Sequence, residues 1–240
     1  MTFALAFARS DYALIAADTR QRLVQFDDDG TKRVLDSRDD ALKLRPLADA
    51  WCVWPAMHKW PLRVHPRLEA LKAVSPAAIQ ATLRTAAAEL MPEFDRADPH
   101  VARSERDHGT LLVIGVLPQT GFYRIGLTWD GVDAFGGLSP DAVAAAGPTE
   151  IPMATQQAAL ATYRAAVDRG PLPAVLRATA QLIHEIALAG GPAGAVSDFL
   201  NIGVLRRSSA GNVIGHVLPG MACAVVMESV DPVSLLIEVA

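Results

Sequence analysis

The sequence has few cysteines and no long apolar run. Its two cysteines, Cys52 and Cys223, each lie in an apolar segment, which is typical of small buried side chains rather than of a disulfide pair. Apolar runs are broken well before the roughly 18 residues that a membrane span needs, and Arg9 and Asp11 are atypical of a secretory signal peptide. These absences predict a cytoplasmic protein that does not enter a membrane.

The sequence also lacks a basic cluster and the common cofactor motifs. The net charge is −4 with scattered lysines and arginines, so nucleic acid is not an expected partner. No glycine-rich phosphate loop and no Gly-x-Ser-x-Gly motif is present, which argues against nucleotide binding and serine hydrolase chemistry. The six histidines have no metal-ligand spacing, and the three aspartates before Gly30 are typical of a solvated turn. We expect no metal and no cofactor.

The length and segment order predict one α+β domain spanning residues 1–240. Half of the 240 residues (51%) are hydrophobic, which suits a large buried core. Strand-like and helix-like segments follow one another as strands, helix pair, strands, helix pair and strands. This order favours two stacked sheets, each covered on its outer face by one helix pair.

Residue patterns place the individual elements. Strands are predicted at 3–8, 12–17, 111–117 and 122–129, in two short pieces within 42–56, and in four segments that begin at 199, 212, 221 and 234. Two helices are predicted between 65 and 91, with Pro66 and Pro76 in first turns and Ser75 as an N-cap, and two more at 155–169 and 173–189. Residues 25–40 are predicted to form a polar surface excursion, and residues 93–109 a loop.

The first two strands are predicted to form a hairpin that brings Thr2 to Asp18. Large and small residues alternate from Phe3 to Ala8, Arg9-Ser10-Asp11 interrupts the pattern, and it resumes at Tyr12. A three-residue turn centred on Ser10 would place Thr2 directly opposite Asp18, with Cβ atoms about 4.5–5.5 Å apart. A two-residue turn would shift this register.

A threonine-led strand that turns and returns to the sequence AADTR at residues 16–20 resembles the proteasome β-subunit and HslV branch of the N-terminal nucleophile (Ntn) hydrolases. The strand pair at 111–129 and the helix pair followed by FLNIGVL (199–205) resemble the same family. The resemblance implies a four-layer αββα sandwich and a threonine peptidase or amidase that acts on peptide or amide substrates. It also implies assembly into a homo-oligomer, such as a ring.

The resemblance further implies three catalytic residues. Removal of Met1 would expose Thr2, whose α-amino group has a pKa suited to act as base for its own hydroxyl. Asp18 matches the family aspartate, which helps to hold a lysine ammonium beside that hydroxyl. Lys43, with Arg45 and the strand at 51–53, fits the family pattern best and requires an insertion of about nine residues. Lys32 is the alternative and needs almost no insertion.

The chain departs from the family pattern at three places. Met57 and His58 stand where the family has the glycine-rich turn of its oxyanion hole, and Pro55 lacks a backbone N–H there. Gly137 takes the place of a serine, for which Ser139, two residues on, is the alternative. Ala193 and Val196 take the places of an aspartate and a serine, and a small shift of the loop would bring in Ser197 and Asp198 instead. These departures leave a second reading open, a catalytically inactive relative that serves in assembly or protein binding.

Overall fold

The computed structural model describes residues 2–55, 59–117, 121–134, 143–168, 170–191 and 194–239. The strands are β1 (Ala4–Ala8), β2 (Tyr12–Asp18), β3 (Gln21–Phe26), β4 (Lys32–Arg38), β5 (Leu44–Leu47), β6 (Ala50–Val53), β7 (Thr110–Leu117), β8 (Gly121–Thr128), β9 (Ala144–Ala146), β10 (Phe199–Arg207), β11 (Val213–Ala222) and β12 (Ile237–Val239). The helices are α1 (Trp60–Glu69), α2 (Pro76–Ala97), α3 (Pro99–His108), α4 (Met153–Val167), α5 (Leu172–Gly190) and α6 (Cys223–Glu228), with a short 3-10 turn at Pro232–Leu235.

The chain is of the mixed α+β class, as its segment order predicts. Six strands form one sheet in the order β12-β11-β10-β2-β1-β9, four form a second in the order β5-β6-β7-β8, and β3 and β4 form a separate two-stranded hairpin. In the described part of the chain, no helix has the length and apolarity needed to cross a membrane.

Three clusters of buried apolar side chains hold these elements together. One joins the six-stranded sheet to α4, α5 and α6, and a second joins the four-stranded sheet to the helices between Trp60 and His108. The third consists of side chains from both sheets, including Ala6, Ile15, Leu44 and Leu112, so the two sheets contact each other. The small alanines of β1 and β2 on this face allow close approach of the sheets, whereas Phe3, Leu5 and Phe7 face the helices.

The predicted register of the first hairpin is wrong by one residue. Arg9 N donates to Tyr12 O at 2.7 Å, Ala8 lies opposite Ala13, and Ala4 lies opposite Ala17. The turn therefore has two central residues, Ser10 and Asp11, instead of three. Because of the shift, Asp18 lies level with Phe3 and not with Thr2, and Asp18 N donates to Phe3 O at 3.1 Å.

Two segments are α-helical where the sequence predicts a loop or a strand. Residues 93–109, predicted as a loop, contain the end of α2 and all of α3, which begins where Asp98 caps Val101 N and where Pro99 occupies the first turn. Residues 221–228, predicted as a strand, include the helix α6, because Cys223 and Val226 at three-residue spacing both reach the core.

The prolines and caps of the first helix pair agree only in part with the sequence prediction. Ser75 caps α2 by accepting from Ala78 N at 3.2 Å, and Pro76 occupies its first turn, as predicted. Pro66 lies inside α1, because that helix begins earlier, at Trp60, with Pro61 in its first turn.

Candidate active site

Thr2, Lys43 and Asp18 lie together where β1 and β5 begin and where β2 ends. Lys43 Nζ donates to Thr2 Oγ1 at 2.6 Å and to Asp18 Oδ2 at 3.2 Å. Asp18 is the last residue of β2, and Lys43 immediately precedes β5, whose first residue, Leu44, packs between the sheets. The stacking of the two sheets thus brings a lysine from one sheet to a hydroxyl and a carboxylate of the other.

Asp18 reaches this position without lying opposite Thr2. Its Oδ1 accepts from Phe3 N at 2.9 Å, and its Oδ2 accepts from Arg20 N at 2.8 Å and from Ser197 N at 3.3 Å, in addition to Lys43. The carboxyl is fully buried. Burial raises the pKa of Asp18, and the Lys43 ammonium and the backbone N–H groups of Arg20 and Ser197 oppose that rise.

Lys43 is a buried amine with two polar partners. Only 11% of its side chain is exposed. Burial lowers the pKa of the Lys43 ammonium, while the nearby Asp18 carboxylate counteracts that fall. Because Lys43 donates a hydrogen bond to Thr2 Oγ1, its ammonium can stabilise the negative charge that develops on that oxygen when the hydroxyl loses its proton.

Ser197 supports the site from the six-stranded sheet. Its Oγ accepts from Thr19 N at 3.1 Å and lies 2.9 Å from Thr19 Oγ1, while its own N–H donates to Asp18. Ser197 and Thr19 are both buried. Val196, which the resemblance predicts to stand in the place of a serine, is buried in the helix-facing cluster, and its neighbour Ser197 is the serine that contacts Asp18.

The side chain of Asp198, which follows Ser197, contacts α5. Its Oδ1 lies 2.8 Å from His184 Nδ1, and its carbonyl accepts from Cys223 N at 3.0 Å. These contacts fix the turn that carries Ser197, so Asp198 supports the site through the backbone.

Lys32, the alternative site lysine, lies elsewhere. It begins β4 in the exposed hairpin, and its Nζ lies 3.9 Å from Glu150 Oε1. The structure therefore places Lys43, and not Lys32, beside Thr2 and Asp18.

Sequence reasoning missed the ion pair that closes the base of the β3–β4 hairpin. Arg20 donates to both carboxylate oxygens of Asp39, at 2.7 and 2.8 Å, and Thr19 Oγ1 donates to the carbonyl of Asp39 at 2.7 Å. The pairing fixes the two chain segments that lead from Asp18 into the hairpin and back to Lys43. The only sequence signal was charge of opposite sign at the two ends of the excursion, which is too common to single out a pair.

Several predicted site positions lie outside the described residues. They are Met1, Met57, His58, Gly137, Ser139 and Ala193. The predictions of an exposed Thr2 amine and of an altered oxyanion turn therefore stay predictions.

A second constellation of polar residues resembles a nucleophilic triad but has no accessible nucleophile. Cys52 Sγ lies 3.8 Å from His65 Nδ1, and His65 Nε2 lies 3.3 Å from Glu69 Oε1. Cys52 is completely buried in the core of the four-stranded sheet, and burial raises the pKa of its thiol. A protonated thiol without solvent access does not attack a substrate, so this cluster is structural.

Among the described residues, no group of three or more His, Cys, Asp or Glu side chains is arranged to hold a metal ion. The Asp27–Gly30 turn closes the β3–β4 hairpin: Gly30 has a φ of +82°, and Thr31 N donates to Asp29 Oδ1 at 2.8 Å.

No protein-family model matches this chain, and no curated protein sequence matches it.

The buried pair leads to a prediction about stability. Asp18→Asn should lower the free energy of unfolding by about 3 kcal/mol, because it leaves the buried Lys43 ammonium without its counter-charge. Chemical denaturation of the variant and the wild type measures the difference.

Asp36→Asn is the matched control. Asp36 forms a surface ion pair with Arg38 in the exposed hairpin, so its replacement should change stability by less than about 0.5 kcal/mol. Equal effects of the two substitutions would show that Asp18 and Lys43 do not form a coupled buried pair.

Proposed function

We propose that the protein is an N-terminal threonine hydrolase that cleaves amide or ester bonds through an acyl-Thr2 intermediate. The observation that carries this proposal is the 2.6 Å contact between Lys43 Nζ and Thr2 Oγ1, with Asp18 hydrogen-bonded to the same amine. A hydroxyl near the start of the chain, in contact with a buried lysine of lowered pKa, is suited to nucleophilic attack.

The arrangement of layers is proposed to be the αββα sandwich of the Ntn hydrolases. Two observations support it: side chains of the two sheets form a common cluster, and each sheet shares a further cluster with its own set of helices. In that fold family the nucleophile begins the first strand of the sandwich, which corresponds to Thr2 before β1.

The proposed reaction begins when Met1 is removed and Thr2 gains a free α-amine. The neutral amine, whose ordinary pKa is about 7.7–8.0, accepts the hydroxyl proton as Oγ1 attacks the substrate carbonyl. The Lys43 ammonium stabilises the developing alkoxide, and Asp18 holds that ammonium in place. The amine or alcohol leaves with a proton from the Thr2 ammonium, and water then hydrolyses the acyl-threonine ester.

The backbone contacts of Asp18 hold its carboxylate, and through it Lys43, in a fixed position. Three N–H groups from different segments, those of Phe3, Arg20 and Ser197, fix the carboxylate, which in turn fixes the amine of Lys43. Catalytic groups held in this way need little reorganisation when charge develops. Self-assembly into a ring stays a prediction, since it is supported by the resemblance alone.

Rapid-quench kinetics tests the proposal. With chromogenic esters and fluorogenic peptide amides offered as a panel, we expect a burst of about one equivalent of leaving group per chain wherever deacylation is slow, as for other covalent hydrolases. Lack of turnover and lack of a burst across the panel, in protein that has lost Met1, would favour the catalytically inactive reading.

A further inference from the structure

The β3–β4 hairpin is a separate two-stranded sheet inserted between two residues of the site, Asp18 and Lys43. In the part of the chain that the structure describes, it forms no ladder with either main sheet, and every residue of β4 is exposed. An isolated two-stranded hairpin is only marginally stable in water. Its conformation therefore depends on contacts with the rest of the protein.

These contacts come from one face of the hairpin. Along β3, Arg22, Val24 and Phe26 are half-buried, whereas the alternate residues are exposed, and Phe26 pairs with Lys32 across the strands. Half-burial of alternate β3 residues shows that the hairpin contacts the rest of the protein through one side of β3.

Among the described residues, this face contacts Glu150 and His100. Arg22 Nη1 lies 3.5 Å from Glu150 Oε1, and Lys32 Nζ lies 3.9 Å from the same oxygen. Nearer the turn, the ring of Phe26 stacks on that of His100, with centroids 6.4 Å apart and planes inclined by 17°. Gly30 also lies against His100, since a Cβ added there would be 3.0 Å from its Nδ1.

One attachment point lies on the Thr2 side of the site. Glu150 follows β9, whose Ala146 lies opposite Ala4, and a Cβ on Gly147 would be 3.3 Å from the ring of Phe3. The segment that carries Glu150 thus leaves the sheet at the end of β1 where Thr2 lies.

The other attachment point lies on the Lys43 side. His100 is in the first turn of α3, and Lys59 contacts this helix through its N–H, 3.0 Å from Glu105 Oε1, and through its Nζ, 3.6 Å from Asp98. Lys59 follows β6, whose Val53 pairs with Leu44, the residue after Lys43. The hairpin is thus rooted at Arg20 and Asp39, beside the site, and reaches to both sides of it.

We propose that the β3–β4 hairpin is a cap over Thr2 that admits compact acyl substrates and excludes extended polypeptides. The substrate preference rests on the proposed function, whereas the covering of residue 2 does not. The substrate class is therefore small amides and esters, and longer peptides would require the cap to open.

A cysteine placed at residue 2 tests the cap without any catalysis. The two native cysteines are fully buried. In Thr2→Cys, the new thiol should therefore account for most of the modified protein. The probes are iodoacetamide, which is compact, and a maleimide carrying a polyethylene glycol chain, which is bulky. In this background, Phe26→Ala removes the ring that stacks on His100, and Glu150→Gln removes the charge that Arg22 and Lys32 face.

We expect these two substitutions to accelerate modification by the bulky maleimide about tenfold and by iodoacetamide less than about twofold, because bulky-reagent access scales with the open fraction of the cap. Leu23→Ala is the matched control, since Leu23 lies on the exposed face of the same hairpin. It should leave the ratio of the two rates unchanged. Equal acceleration for both reagents, or no acceleration for either, would overturn the proposal.

The same attachment substitutions in the native Thr2 chain separate this inference from the proposed function. If the cap restricts substrates, these substitutions should increase the rate of hydrolysis of a long peptide amide relative to that of a small ester. A shift in the thiol-modification ratio without any hydrolysis would leave the cap standing and reject the threonine hydrolase. Hydrolysis together with an unchanged ratio of the two thiol-modification rates would support the threonine hydrolase and reject the cap.

Discussion

Thr2→Ala should abolish turnover while the fold stays intact. The substitution removes the hydroxyl that Lys43 contacts at 2.6 Å, and loss of a nucleophile typically lowers kcat by at least about 10³-fold. Stability should fall by only about 1 kcal/mol, the net contribution of one hydrogen bond. Steady-state kinetics and a thermal melt of the same preparation measure the two effects.

Thr2→Ser is the control for this prediction. It keeps the hydroxyl and the α-amine but loses the methyl group, so measurable turnover should remain. Unchanged turnover in Thr2→Ala would mean that another residue carries the reaction.

Lys43→Met should lower turnover by about 10²-fold or more, because it removes the charged group that stabilises the Thr2 alkoxide, and such proton-transfer and charge effects contribute about 10²–10⁴-fold. Methionine retains most of the apolar volume of the side chain, so the loss reports mainly on the amine. Kinetics on the small substrate that the wild type uses best measures the effect.

Lys32→Met is the matched control, since Lys32 lies in the hairpin beside Glu150 and outside hydrogen-bonding contact with Thr2. It should change turnover of a small substrate less than about twofold, in line with the small energies of surface ion pairs. A larger loss in Lys32→Met than in Lys43→Met would contradict the assignment of Lys43.

Much of the architecture follows from local pattern. Alternation of large and small residues predicts β1 and β2, and glycine-terminated apolar periodicity predicts α4 and α5 to within a few residues. The strand-to-helix error at Cys223–Glu228 arose because a short apolar run fits either period. The α3 error arose because a polar helix with a narrow buried stripe resembles a loop in composition.

The geometry of the site was harder to predict from the sequence than the fold. The hairpin register depends on a one-residue choice of turn length, which the Arg9-Ser10-Asp11 interruption does not settle, and the two-residue turn moved Asp18 level with Phe3. Lys43 nevertheless lies at the site, because sheet stacking rather than strand pairing brings it to Thr2.

The position of Ser197 also could not be predicted from local sequence pattern. It lies 178 residues from Thr19 in sequence, and the two meet only because β10 pairs with β2, which places Leu200 opposite Asp18. Composition and periodicity contain no information about such a contact. The resemblance places the serine position at Val196, with Ser197 as the neighbour that a small shift of the loop would bring in.

Mass spectrometry of the purified chain, before and after exposure to a β-lactone, tests the central claim most directly. The account predicts loss of Met1 and a single adduct whose fragment ions map to Thr2, absent in Thr2→Ala and slowed in Lys43→Met. A chain that has lost Met1 and yet forms no adduct at Thr2, or forms it equally fast in Lys43→Met, would contradict the account.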